Sequence, residues 1–221
     1  MREHLAQEIV RLKRMVSDLA AQVEHAVQQA VEAAQQADET LARRVIEQDD
    51  AIDREEIMIE EECLKILALH QPVAGDLRYI VTFLKVNNEL ERIGDLAVNI
   101  AKQVLHQLDF GVFPEEKIDF APQMEIARQM LKAALDALVA RNCLEANETI
   151  RMDDRIDELN REVIERSEEL IKQHPELAEY YISVIFISRH LERIGDCTTN
   201  ICEDVIYLEL GKIVRHGGLP E

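Results

Sequence analysis

Of the acidic residues that stand four positions apart in this sequence, four pairs recur at matched places: Asp49 with Asp53, Glu91 with Asp95, Asp153 with Asp157, and Glu192 with Asp196. On a helix, residues four apart share a face, so each pair aims two carboxylates in one direction. Like charges at that spacing cost roughly 0.2–0.5 kcal/mol per pair on an exposed helix, and more where water is excluded. A bound cation would repay that cost. The stripe around Glu91 is polar over four turns (Asn87, Glu91, Asp95, Asn99), and its counterpart is Ser188, Glu192, Asp196, Asn200. Carboxylate and amide oxygens are hard donors suited to Mg²⁺, Ca²⁺, Mn²⁺ or oxidised iron, with Zn²⁺ a further alternative. Asn99, Asn200, Asp50 and Asp154 stand beside the pairs, and sequence leaves open whether they also ligate. The competing reading is a solvated acidic face. Arg92 lies three residues from Asp95 and Arg193 three from Asp196, so partial local pairing is expected there, but Asp49 and Asp53 have no cation three or four positions away.

The pairs fall at matching heights if each half of the chain folds back on itself. Asp53 lies 19 residues before Pro72 and Glu91 lies 19 after it; Asp49 and Asp95 are each 23 away. At a helical rise of 1.5 Å per residue the two levels sit roughly 28 and 34 Å from the turn. About Pro175, Asp157 and Glu192 are 18 and 17 residues away, and Asp153 and Asp196 are 22 and 21. Four carboxylates would then converge from two facing helices in each half.

The matching reflects an internal repeat. DDAID at 49–53 recurs as DDRID at 153–157, 104 residues on, and ERIGDLAVNIA at 91–101 recurs as ERIGDCTTNIC at 192–202, 101 residues on. Two ordered matches at nearly one offset indicate a duplicated unit of roughly a hundred residues, with a net deletion of three between the motifs of the second copy. Gly94 and Gly195 sit in mid-helix inside ERIGD, where glycine costs ~1 kcal/mol relative to alanine. Close approach of another backbone or a ligand would explain both.

The elements that position these residues read as helices throughout. Leu5, Ile9, Leu12, Val16, Leu19, Val23, Ala26, Ala30, Ala33 and Ala37 alternate steps of four and three, one apolar seam that packs internally. The periodic segments predict a first helix that carries this seam from Leu5 to Ala37 and further helices at about 39–70, 74–108, 122–142, 144–173 and 176–214, with Pro72, Pro114, Pro122, Pro175 and Pro220 near their boundaries. No segment alternates with a period of two. The fold class is all-α, two tandem sequence-related three-helix bundles: residues 1–108, a connection at 109–121, and residues 122–221.

Composition agrees. The 221 residues are 47% hydrophobic, 31% charged and 4% aromatic, with no Trp, as expected of long packed helices. The net charge of −19 argues against nucleic acid as a partner and for cations or a basic protein surface. Cys63, Cys143, Cys197 and Cys202 show no C-x-x-C spacing and read as buried thiols of a cytosolic protein. The opening MREHLAQEIVRLKR is amphipathic from its start and has no apolar signal core. No stretch approaches the ~18 apolar residues of a membrane span. Any membrane association is expected to run through a partner.

The two ERIGD motifs, their DDAID and DDRID partners, the opening LAQEIVRLKRM and the ending NICEDVIYLELGKIVRHG resemble the PhoU family of phosphate-uptake regulators over essentially the whole chain. The resemblance implies paired three-helix bundles that bind multinuclear iron, or other metals, through E(D)xxxD pairs. The metal motif falls on Asp49, Asp53, Glu91 and Asp95, and again on Asp153, Asp157, Glu192 and Asp196. It further implies a cytoplasmic negative regulator of the phosphate-starvation response, without enzymatic activity, contacting the ATPase subunit of the phosphate ABC transporter and the sensor histidine kinase, and a homodimer. Two other classes compete. A di-iron oxidase would need Glu-x-x-His motifs, and none of the seven histidines has Glu three residues before it. His106 and His190 near the motifs are left out of the site. A purely structural scaffold would bind no metal.

Overall fold

The computed structural model describes residues 2–115 and 117–214. Among these residues it is helical, without strands: α1 (Arg2–Gln36), α2 (Glu39–His70), α3 (Ala74–Phe110), α4 (Ala121–Ala140), α5 (Cys143–Arg151), α6 (Asp153–Gln173) and α7 (Ala178–Leu210), with a 3-10 turn at Pro175–Leu177. α1, α2 and α3 pack together as one bundle, and α4, α5, α6 and α7 as the second. No helix is long and apolar enough to cross a membrane among the described residues. Pro220 and the last residues of the KIVRHG ending lie outside the described residues.

The seam of α1 is buried inside the protein. Leu12, Leu19, Val23, Ala30 and Ala33 are fully covered, while Leu5 and Ile9 pack on the edge of the core. Helix termination repeats between the halves. α1 ends at Ala37 and α4 at Arg141, both left-handed (φ 53° and 55°). The next N–H reaches back five residues, Asp38 to Ala33 O at 3.0 Å and Asn142 to Ala137 O at 2.9 Å, as in a Schellman end. Asp38 and Asn142 then cap α2 and α5, accepting from Leu41 N at 3.0 Å and from Leu144 N at 3.1 Å. These caps lie 104 residues apart, the same offset as the aspartates.

Two predicted helices differ from expectation. The one expected over 144–173 is divided at Met152 into α5 and α6. Met152 N–H bonds Thr149 O, and Arg155 N–H bonds Met152 O, both at 3.0 Å, a local i→i+3 tightening. One turn earlier the Thr149 hydroxyl bonds back to Glu145 O at 2.9 Å, a contact that bends helices. The last helix stops at Leu210 rather than 214, because Gly211 turns left-handed (φ 66°) and its N–H closes on Tyr207 O.

The halves do not sit as separate bodies. α3 against α7 is the most extensive helix pair, and one continuous apolar core runs through both bundles. Polar contacts cross this joint: Lys85 Nζ to Asp204 Oδ1 at 2.6 Å, His106 Nδ1 to Ser183 Oγ at 3.2 Å, and Asn200 Nδ2 to Glu89 Oε2 at 3.3 Å. All four cysteines are free thiols. Cys63, Cys197 and Cys202 are buried and Cys143 is half-buried.

Candidate metal centre

Each acidic pair is carried by a hairpin whose register a side-chain hydrogen bond reveals. In the first half, Asn87 Nδ2 on α3 donates to Glu56 O and Glu56 Oε1 on α2, both at 3.0 Å. Counting outward from that rung, one helix ascending and the other descending, brings Asp53 level with Glu91 and Asp49 level with Asp95. In the second half the Ser188 hydroxyl lies 2.9 Å from Asn160 Oδ1, which brings Asp157 level with Glu192 and Asp153 level with Asp196. The hairpin heights expected from Pro72 and Pro175 are those of the structure.

The helices approach closely where the glycines stand. A Cβ on Gly94 would lie 3.2 Å from Ile52 Cγ2 and 3.7 Å from Asp49 Oδ1. One on Gly195 would lie 3.0 Å from both Asp153 Oδ1 and Ile156 Cγ2. Both glycines therefore allow the aspartate helix to press against the ERIGD helix at the outermost rung, which explains a residue that is otherwise poor in mid-helix.

Electrostatics tie each set of four together. Burial first, and then Asp53 and Asp95, raise the Asp49 carboxyl to about 6 against a smaller pull from Lys102. Asp153 is likewise held at about 6 by burial, then by Asp196, Asp157 and Glu192. Glu91 is raised by burial and then by Asp95, Asp53, Glu56 and Asp49. Glu192 and Asp196 are raised by burial and by carboxylates of their own set, against a counter-pull from Arg193. All eight sequence-predicted residues thus fall into two quartets, one per half. Arg92 does not pair with Asp95 as expected; its guanidinium reaches Glu89 at 3.1 Å, one turn back. His106 bonds Ser183 at the joint, and His190 is depressed by burial and Arg193.

As the side chains stand, no three Asp, Glu, His or Cys groups among the described residues enclose a common point for an ion. The donor chemistry nevertheless fits a hard cation. Asp153 Oδ1 and Asn87 Oδ1 are buried acceptors without a donor among the described residues, and a carboxylate can accept but never donate. A metal bound there would neutralise the quartet and cross-link its two helices.

Sequence reasoning missed two features. Glu56, seven residues past Asp49 and so on the same face, joins the first quartet. Its signal was the 49, 53, 56 spacing. The second is a groove of about 430 Å³ between α3 and α7, lined by Arg92, Asp95 and Asn99 and by Arg193, Asp196 and Asn200. These residues correspond one to one across the 101-residue repeat, so the groove is walled by equivalent faces of α3 and α7, with Asp95 of one quartet and Asp196 of the other lining it.

A family model described as the PhoU domain matches this chain twice, over residues 16–104 and 123–205. The chain belongs to the PhoU family. Its similarity to relatives covers most of both chains. A phosphate-specific transport system accessory protein PhoU homolog of Thermotoga maritima is 37% identical over 96% of this chain and 91% of that protein. The phosphate-specific transport system accessory protein PhoU of Escherichia coli is 31% identical over 97% and 88%. The crystal structure of PhoU from Pseudomonas aeruginosa superposes with a TM-score of 0.89 at 32% identity, covering 94% of this chain and 99% of that one. That of the phosphate transport system regulatory protein PhoU from Streptococcus pneumoniae gives 0.88 at 27%, covering 96% and 100%. The two PhoU domains each contain one acidic hairpin, so the tandem bundles are the two copies of the family unit.

Proposed function

We propose that this protein is an accessory regulator of phosphate transport that acts by binding other proteins, with hard metal ions held at the two carboxylate quartets. The observation that carries the reading is the repetition of one quartet, on one hairpin geometry, in each of two PhoU domains. Long helices with an acidic exterior suit basic partner surfaces. The partners we propose are the ATPase subunit of the phosphate ABC transporter and the sensor histidine kinase. The protein, cytoplasmic and homodimeric, would reach the membrane only through them, and it would favour the inactive output of the kinase when phosphate is plentiful. Such a switch needs partners that bind it with different affinity in their two signalling states, since equal affinity shifts nothing. The metal reading is of multinuclear iron at Asp49, Asp53, Glu91 and Asp95 and at Asp153, Asp157, Glu192 and Asp196, with Mg²⁺, Mn²⁺, Zn²⁺ or Ca²⁺ as alternatives.

Deletion of the gene tests the regulatory reading. Phosphate-starvation genes should then stay expressed in high phosphate, and the purified protein should capture the ATPase subunit and the cytoplasmic part of the kinase. Normal repression together with no capture would overturn it. Elemental analysis of aerobically purified protein tests the metal reading. The Glu91→Gln, Asp95→Asn double variant should lose the ions of the first half alone.

A further inference from the structure

The two quartets match, but the rung beyond them does not. In the second half that rung is neutral and closed: the Ser188 hydroxyl lies between Asn160 Oδ1 at 2.9 Å and Gln123 Oε1 at 3.0 Å, while Gln123 Nε2 donates to Ser188 O at 2.9 Å. In the first half the equivalent positions are Glu56 and Asn87. Glu56 lies on the α2 face of Asp49 and Asp53, and its carboxyl is held above the usual range by burial first and then by the anionic Glu60 and Asp53.

Asn87 supplies an independent observation. It is fully buried. Glu56 O and Glu56 Oε1 are both acceptors, so the amide nitrogen must face them, and its two hydrogens are used there. That fixes the amide orientation and leaves Asn87 Oδ1 as a buried acceptor with no donor among the described residues. Buried acceptors are rarely left in that state. Asn87 lies one turn before Glu91 on the stripe facing α2, so its free oxygen belongs to the carboxylate side of α3. Its bond to Glu56 Oε1 also orients that carboxylate, leaving Oε2 without a hydrogen bond among the described residues.

We infer that Glu56, oriented by Asn87, is a fifth carboxylate ligand of the first half, so that this half binds hard cations more tightly than the second. The inference rests on the metal reading above. Ligand charge count is a principal means by which oxygen sites set their affinity for such cations.

The test uses the full chain, stripped by chelator and titrated with Mn²⁺ under calorimetry, with electron paramagnetic resonance counting free ion. Wild type should show two classes of site. Glu192→Gln with Asp196→Asn should abolish the weaker class, and Glu91→Gln with Asp95→Asn the tighter one, which assigns each class to its half. Glu56→Gln keeps an acceptor for Asn87 and should weaken the tight class by roughly tenfold or more, the scale on which the surroundings of a metal set its affinity. Asn160→Glu with Ser188→Asn should tighten the weak class. Circular dichroism confirms that each variant is folded. Equal affinity in both halves, or a tight class untouched by Glu56→Gln, overturns the inference while leaving the metal reading standing. No Mn²⁺ binding by wild type overturns both.

Discussion

In the α2–α3 hairpin the aspartate helix runs unbroken past Asp49 and Asp53, whereas in the α6–α7 hairpin it is interrupted and resumes at Asp153 itself. The surroundings differ as well. Lys102 pulls against the rise of Asp49 in the first half, while Arg189 and Arg193 do so for Glu192 in the second. The fit at the glycine is tighter in the second half, where a Cβ on Gly195 would come within 3.0 Å of Asp153 Oδ1 against 3.7 Å for Gly94 and Asp49. Yet both quartets keep the same two rungs. The lesson is that the constrained quantity is the opposition of carboxylates across the hairpin. Helix continuity, counter-charge and the length of the turn have all changed around it.

The largest effect should come from the isoleucines wedged beneath the glycines. Ile52 and Ile156 are both buried at the outer rung. Ile52→Ala and Ile156→Ala should each lose about 2–5 kcal/mol in denaturant unfolding, from lost burial plus the cavity left behind. Because one core spans both bundles, either substitution should shift a single cooperative transition. Two separated transitions would show that the halves are independent bodies.

Next is the response of metal-free protein to pH. Asp49 and Asp153 sit at about 6 against an ordinary 3.8. Between those values the folded state binds more protons than the unfolded state, so stability falls as pH rises through the window and the repulsion is fully felt above pH 6. The melting temperature should therefore rise as pH is lowered from 7.5 to 5.5. Asp49→Asn and Asp153→Asn should each remove part of that rise, and the double variant most of it. A melting temperature that is flat or falls over this range in the wild type breaks the claim that the two quartets are equivalent reservoirs of repulsion.

The glycines sharpen the comparison further. Alanine gains ~1 kcal/mol of helix propensity over glycine, which should roughly offset the mild crowding at Gly94. At Gly195 the contacts are closer and involve both Asp153 and Ile156. Gly195→Ala should then destabilise by about 1–2 kcal/mol, with Gly94→Ala within about 1 kcal/mol of wild type. Equal effects would mean that the two hairpins are packed alike. The smallest change is expected at the joint. Lys85 bonds Asp204 at 2.6 Å but is itself half exposed, and Phe186 stands at the corresponding place in the second half. Lys85→Met should cost about 1 kcal/mol, as partly solvated ion pairs do, and Phe186→Ala less.

Much of this protein is legible in its sequence because much of it is local. Apolar residues spaced three or four positions apart set the face of a helix whatever surrounds it, and two acidic residues four apart share a face for the same reason. Antiparallel register about Pro72 and Pro175 follows from counting, since the rise per residue is constant. Those facts suffice to assemble Asp49, Asp53, Glu91 and Asp95, and their second copy. Glu56 was within reach of the same count. The break at Met152 was not, because it depends on one hydroxyl bonding back to the helix and on a local shortening of the hydrogen-bond ladder. Nor was the groove in which Arg92, Asp95 and Asn99 meet Arg193, Asp196 and Asn200. Its walls lie about a hundred residues apart and carry similar patterns, so periodicity cannot say which face of α3 meets α7. That choice belongs to tertiary packing, where the long-range fit of two apolar surfaces decides how the duplicated halves are joined.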